Sequence, residues 1–216
     1  MSHTSAAVIV SCAMAEEAQP FVDALPERTG AQPPTLPGSA QAWSLQLPGG
    51  ERELILVRSG IGLVAAASAL AAVLTQVRPG TVVSAGTTGG LGRQVQVGDV
   101  CASANLAYTD ADATAFGYVR GQTPGQPETF AGDPALLERL EQVGPEALRG
   151  ATASSGSARL HVGRMLAGNS FVTAANVTDT REVFPTALST DMESTALAQV
   201  AASAGIPFVS VRGVSD

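Results

Sequence analysis

Acidic side chains recur in this 216-residue chain just past short apolar runs, where they could exchange protons with a bound molecule. Glu16 and Glu17 follow the first such run, Asp191-Met192-Glu193 a later one, and Ser215-Asp216 the last. A carboxylate held in such a place can take a proton from water or hand one to a leaving group. Between them fall two glycine-rich turns, Ser59-Gly60-Ile61-Gly62 and Gly86-Thr87-Thr88-Gly89-Gly90, and one aromatic in Ser170-Phe171. Glycine lets a backbone approach a ligand closely, and an aromatic ring offers a face for stacking. Only 4% of the residues are aromatic, so an aromatic in a loop stands out.

Each feature also has a reading without chemistry. Glu16 and Glu17 suit a helix N-terminus through its dipole. Gly60-Ile61-Gly62 lacks the full dinucleotide fingerprint and can be a plain tight connection. The glycines of 86–90 can ease the packing of a sheet on a helix. Asp191 can cap the helix that follows it, and Phe171 can belong to the core. What speaks for a site is their common placement, and that depends on the elements.

Residues 6–11 form a continuous β-branched run, the pattern of a buried strand. A helix begins near Glu16, and a loop rich in Pro, Gly and Gln covers 26–40. Pro48-Gly49-Gly50 joins 41–47 and 52–58 as a hairpin. An Ala-rich helix spans 63–76, with strands at 81–85 and 100–107 and a polar loop over 108–130. A surface helix covers 134–142, and 144–156 reads as a loop. Strands at 162–166, 189–191 and 208–214 and a helix over 193–204 complete the chain. Strands alternating with helices predict one α/β domain over 1–216, three layers (α/β/α) around a mixed, mostly parallel sheet. Ligands of such sheets collect beyond the carboxyl ends of the strands. Carboxylates, turns and Phe171 therefore converge on one edge, as a nucleoside pocket requires.

Composition narrows the partners. A formal charge of −7 with no polybasic run argues against a nucleic-acid surface. The longest apolar run, 61–74, is too short to span a bilayer, and the N-terminus lacks a signal-peptide pattern. Cys12 and Cys101 read as buried reduced thiols of a cytoplasmic protein, and His3 and His161 form no metal cluster with them.

Longer motifs sharpen this. Ala13-Met14-Ala15-Glu16-Glu17, Val97-Gly98-Asp99-Val100 and Val211-Arg212-Gly213-Val214-Ser215-Asp216 are three of them. The most specific is DADATAFGY over 110–118, continued by GQTPG over 121–125. With these segments the chain resembles the bacterial methylthioadenosine/adenosylhomocysteine nucleosidases of the purine-nucleoside phosphorylase superfamily along nearly its whole length.

The resemblance implies hydrolysis of an N-glycosidic bond to free adenine, with no cofactor and no metal. It makes Glu17 the general base toward water, and Asp216, supported by Ser215, the donor toward adenine N7. Glu193 would bind the ribose hydroxyls and favour a developing sugar cation, while Arg212 helps hold the water. Phe171 would stack on the purine and the Val172 backbone would read its edge. Met14, Ile61 and Met192 would line the sugar and thioether, with Thr87 and Gly89 completing the pocket. The family further implies a homodimer in which Phe116, Tyr118 and Pro124 cross into the partner's pocket.

Departures from the family pattern are Ala15 in place of an acidic residue and Thr87 in place of serine. Relatives continue past the position of Asp216 into a helix, so a missing lid and a poorly fixed Asp216 are expected. Three rivals share the scaffold: a phosphorylase, a futalosine or aminofutalosine hydrolase, and a non-catalytic nucleoside binder. Phosphorylases carry an arginine where this chain has Ser84, which favours water as nucleophile.

Overall fold

The computed structural model describes residues 7–50, 52–152, 155–173 and 175–216. The first strand, β1 (Val8–Cys12), is buried along most of its length, as an unbroken apolar run should be; Ala6 lies outside the described residues. Helix α1 (Ala15–Ala24) follows, then the hairpin β2 (Gln41–Gln46) and β3 (Glu53–Arg58), and the Ala-rich α2 (Leu63–Leu74). Strands β4 (Thr81–Gly90) and β5 (Val100–Tyr108) come next, then the short β6 (Phe130–Ala131) and α3 (Pro134–Ala151). The chain closes with β7 (Leu160–Ala167), α4 (Val177–Val183), β8 (Ala187–Asp191), α5 (Ser194–Ser203) and β9 (Phe208–Val214).

Alternation along β1 and β3 sorts the core into two faces. Ile9, Ile55 and Val57 pack with Leu70 and Val73 of α2 and Leu197 and Ala201 of α5. Val10, Cys12, Leu54 and Leu56 pack on the other face with Ala18, Phe21 and Val22 of α1. Helices thus cover both faces of a central mixed sheet, the expected three layers. Strands β3, β1, β4 and β9 run parallel in sequence, and so do β5, β7 and β8. The two parallel groups join antiparallel, through β4 with β8 and β5 with β9, so the sheet curls back on itself in that half. Cys12 and Cys101 are free and buried, and burial pushes their thiols up to about 12 and about 11. None of the described helices is long and apolar enough to cross a membrane.

Two expectations need correction, and one helix was not anticipated. Strand β4 does not stop at Ala85 but continues through the glycine segment to Gly90. Its small residues let β9 run alongside through Thr88 and β8 alongside Gly89 and Gly90. Helix α3 does not end at Gln142: it continues through Pro145 to Ala151, over most of the expected loop 144–156, of which 153 and 154 lie outside the described residues. Gly144 marks a close approach rather than a break, because a Cβ there would meet Leu160 Cδ2 at 3.0 Å. Helix α4 lies in a stretch without apolar period, and seven residues give periodicity little to register.

Candidate active site

A cavity open to solvent lies past the carboxyl ends of β1, β4, β7, β8 and β9. The first group to place is the glutamate pair. Both sit in the first turn of α1, where the dipole favours them, but only Glu17 turns inward; Glu16 is exposed. Glu17 Oε2 accepts hydrogen bonds from the backbone N–H groups of Ala13 (2.9 Å) and Met14 (3.1 Å). Its Oε1 accepts from the Thr87 N–H (2.8 Å) and hydroxyl (2.9 Å). The helix-end reading and the chemical reading are therefore the same carboxylate, held by four donors and lining the cavity.

Gly86 explains the glycine segment. Its φ is +155°, and a Cβ there would lie 2.6 Å from Glu17 Cδ, so the residue leaves room for that carboxyl group. Thr87 supplies a hydroxyl as well as its backbone N–H to Glu17. Thr87→Val is expected to lower kcat by about tenfold, the scale of one hydrogen bond to a charged group, with Thr87→Ser close to wild type in steady-state assays.

Glu193 is 4% exposed and stands just before α5. Its Oε1 accepts from the N–H of Gly62 at 2.9 Å, at the N-terminus of α2, where the positive end of the helix faces it. This gives the Ser59-Gly60-Ile61-Gly62 turn its use: Gly60 and Gly62 have φ of +87° and +105°, which aims the backbone N–H at the carboxylate. Burial pushes the Glu193 carboxyl above the ordinary range, and the Arg212 guanidinium opposes that rise.

Arg212 is 2% exposed, and its two terminal nitrogens are hydrogen-bonded while Nε has only an ion-pair contact. Nη1 lies 3.2 Å from Glu193 Oε2 and donates to the Thr87 carbonyl at 2.9 Å. Nη2 donates to Ser84 Oγ at 2.8 Å, and Nε faces Asp191 Oδ2 at 3.3 Å. These contacts tie Arg212 to Glu193 and Asp191. Asp191 fills its bland reading too, with Oδ1 accepting from the N–H groups of Glu193 (2.8 Å) and Ser194 (2.7 Å).

The end of β9 is hydrogen-bonded to β4. Ser215 N donates to the Thr88 carbonyl at 3.0 Å, and Gly90 N donates to the Asp216 carbonyl at 2.8 Å. The Ser215 hydroxyl donates to Asp216 Oδ1 at 2.6 Å, and Asp216 lies over Gly89.

Met14, Ile61, Met192, Phe171 and Val172 line the same cavity, with Phe171 exposed rather than in the core. Thr88, named only as part of the glycine-rich segment, and Thr190, which escaped the sequence reading, also line it; Thr88 Oγ1 donates to the Thr190 carbonyl at 2.8 Å, which ties β4 to β8 there. Phe116, Tyr118 and Pro124 do not line it. They belong to the 114–124 loop, where Phe116 is 84% exposed.

The model of the phosphorylase superfamily matches residues 7–216. A 5′-methylthioadenosine/S-adenosylhomocysteine nucleosidase of Haemophilus influenzae (strain PittEE) is 33% identical over 205 residues, 94% of this chain and 83% of that protein. The chain belongs to this nucleosidase family. The nucleosidase of Neisseria meningitidis in complex with methylthio-immucillin-A superimposes with a TM-score of 0.85 at 32% identity, over 97% of this chain and 85% of that one. That of Colwellia psychrerythraea 34H in complex with adenine gives 0.86 at 30% identity, over 98% and 83%.

Proposed function

We propose that this chain hydrolyses the N-glycosidic bond of 5′-methylthioadenosine and S-adenosylhomocysteine, releasing adenine and the thio-sugar. The observation that carries water over phosphate as nucleophile is the charge of the cavity. Glu17, Asp191, Glu193 and Asp216 line it, and the one cation among the described lining residues is Arg212. That guanidinium is already shared by two carboxylates, a carbonyl and Ser84. A phosphate dianion would meet net negative charge and, among the described lining residues, no cation that is not already paired with carboxylates. Adenine release from methylthioadenosine should proceed equally with and without phosphate and give the free sugar by mass spectrometry. A rate that needs phosphate, or a sugar 1-phosphate product, would reject hydrolysis.

In this reading Glu17 takes a proton from water, and the water attacks the anomeric carbon as the C–N bond breaks. Asp216, aligned by Ser215, delivers a proton toward adenine N7 so that a neutral base leaves. The sugar passes through an oxocarbenium-like state, and the Glu193 carboxylate binds its hydroxyls and offsets its charge. Phe171 stacks on the purine beside the Val172 backbone, with Thr87 and Gly89 at the pocket wall. Met14, Ile61 and Met192 take the 5′ thio-substituent, for which soft apolar side chains are suited. The product chemistry fits salvage of methionine carbon and sulfur in the cytoplasm.

Assembly belongs to the same proposal. Phe116 at 84% exposure and Val119 at 44% leave an apolar loop in water at a cost, and a second copy would cover it. Ile61 (60%) and Val64 (76%) are exposed apolar residues as well, and Ile61 lines the cavity. The chain is expected to be a two-fold dimer by light scattering at micromolar concentration. Phe116→Asp should weaken the dimer and raise KM for methylthioadenosine; a fully active monomer would reject the crossing loop.

A further inference from the structure

The Val97-Gly98-Asp99-Val100 motif stands outside the cavity, and nothing in the chemistry above uses it. Asp99 is nonetheless 4% exposed, and its carboxylate accepts three hydrogen bonds. Oδ2 accepts from Gln96 N–H at 3.1 Å and from His161 Nε2 at 2.8 Å, and Oδ1 accepts from Arg159 N–H at 2.9 Å. The first closes the 96–99 turn on itself, and the other two tie it to the start of β7. Burial pushes the Asp99 carboxyl up, but hydrogen bonds from Arg159 and His161 outweigh it and hold the group below its usual range.

The same turn faces β9 on its other side. Gly98 N donates to the Val214 carbonyl at 2.9 Å, and Val214 N donates to the Asp99 carbonyl at 2.8 Å. Both backbone polar groups of Val214 are thus held by Gly98 and Asp99, two residues before Asp216. On the opposite side β4 supplies the Thr88 carbonyl and the Gly90 N–H. One wall of this slot is a regular strand. The other is a turn, with Gly98 at φ +92°, whose shape depends on the Asp99 carboxylate.

We infer that Asp99, backed by His161, is a positioning residue for Asp216: it rigidifies the turn that clamps Val214 and so fixes the proton donor above Gly89. This rests on the reading of Asp216 as the donor toward adenine. Loss of the clamp lets the donor drift, and misplacement by about 1 Å can cost about 100-fold in rate. The alternative is a turn-closing aspartate with a satisfied neighbouring histidine, important to folding alone.

A double-mutant cycle with methylthioadenosine as substrate separates the two. Asp99→Asn, His161→Leu and His161→Gln are made in the full chain, alone and combined with Asp216→Asn, and thermal melts establish that each is folded. Asp216→Asn alone is expected to lower kcat by at least about 100-fold, as loss of a general acid should. Asp99→Asn should lower kcat by about 10–100-fold and His161→Leu by about 3–10-fold, with KM nearly unchanged. Gln at 161 keeps a donor for Asp99 and should restore most of the His161→Leu loss. In the Asp216→Asn background neither change should lower kcat further by more than about twofold, because coupled residues are not additive. Losses that multiply in that background, or that fall on KM, overturn the positioning role. An unchanged kcat in both Asp99→Asn and His161→Leu, with Asp216→Asn slow, overturns it while leaving Asp216 as donor. If Asp216→Asn is itself as fast as wild type, the donor reading and this inference fall together. Should Asp99→Asn not fold, the His161→Leu and His161→Gln pair decides alone.

Discussion

Replacing Glu17 with glutamine is expected to lower kcat by about 10²–10⁴-fold, the range for loss of a general base, while adenine still binds. The amide cannot accept the proton of the attacking water. It also meets a local conflict, because all four groups around the carboxylate are donors: two backbone N–H groups on one oxygen, and the Thr87 N–H and hydroxyl on the other. The hydroxyl can turn to accept from the amide, whereas the N–H groups cannot, so the NH2 will face Thr87. Calorimetric binding of adenine and a thermal melt separate loss of chemistry from loss of the α1 cap. A variant turning over within a few-fold of wild type would remove Glu17 from the base role. Gly86→Ala approaches the same carboxylate from β4 and should resemble it, since the added Cβ takes the space of the Glu17 carboxyl group.

That pair of residues also measures what the sequence can reveal. Glu17 was legible as a base candidate because an acidic pair after a buried strand is a recognisable pattern, and the family motif selects the second glutamate. Its partner Gly86 was legible only as part of a glycine-rich segment read as a turn. A strand of small residues and a turn of small residues look alike in one dimension, and only the pairing with β8 and β9 distinguishes them. The α/β order and its three layers followed from β-branched runs alternating with helical ones, a local signal. The curl of the sheet through β4 with β8 and β5 with β9 is set by pairings between residues far apart in sequence, which leave no periodic trace. The same limit explains Arg212. Its type and motif marked it as part of the site, but its partners Ser84, Asp191 and Glu193 lie on other elements, and only geometry could show that it supports Glu193.

Arg212 carries the largest expected effect on stability. Its guanidinium is 2% exposed between two carboxylates that are themselves 9% and 4% exposed. Arg212→Met keeps much of the volume and removes the charge, which leaves Asp191 and Glu193 buried side by side. Breaking a buried pair from one side costs about 3–5 kcal/mol, far more than a surface pair. The cost should depend on pH in a definite direction. Burial already raises the Glu193 carboxyl above its ordinary value, and Arg212 is the chief group opposing that rise, so the variant should raise it further. A carboxyl with a raised folded value binds more protons folded than unfolded between the two values, so stability there falls as pH rises. Below the ordinary glutamate value of about 4.3 the group is neutral in both states, and the deficit of the variant should be smallest there. It should widen as pH rises beyond the wild-type value of Glu193 and level off above that of the variant. Urea unfolding of both proteins across this range tests it. A deficit that is the same at acid and neutral pH would mean that Arg212 contributes packing and not charge, and would detach it from Glu193.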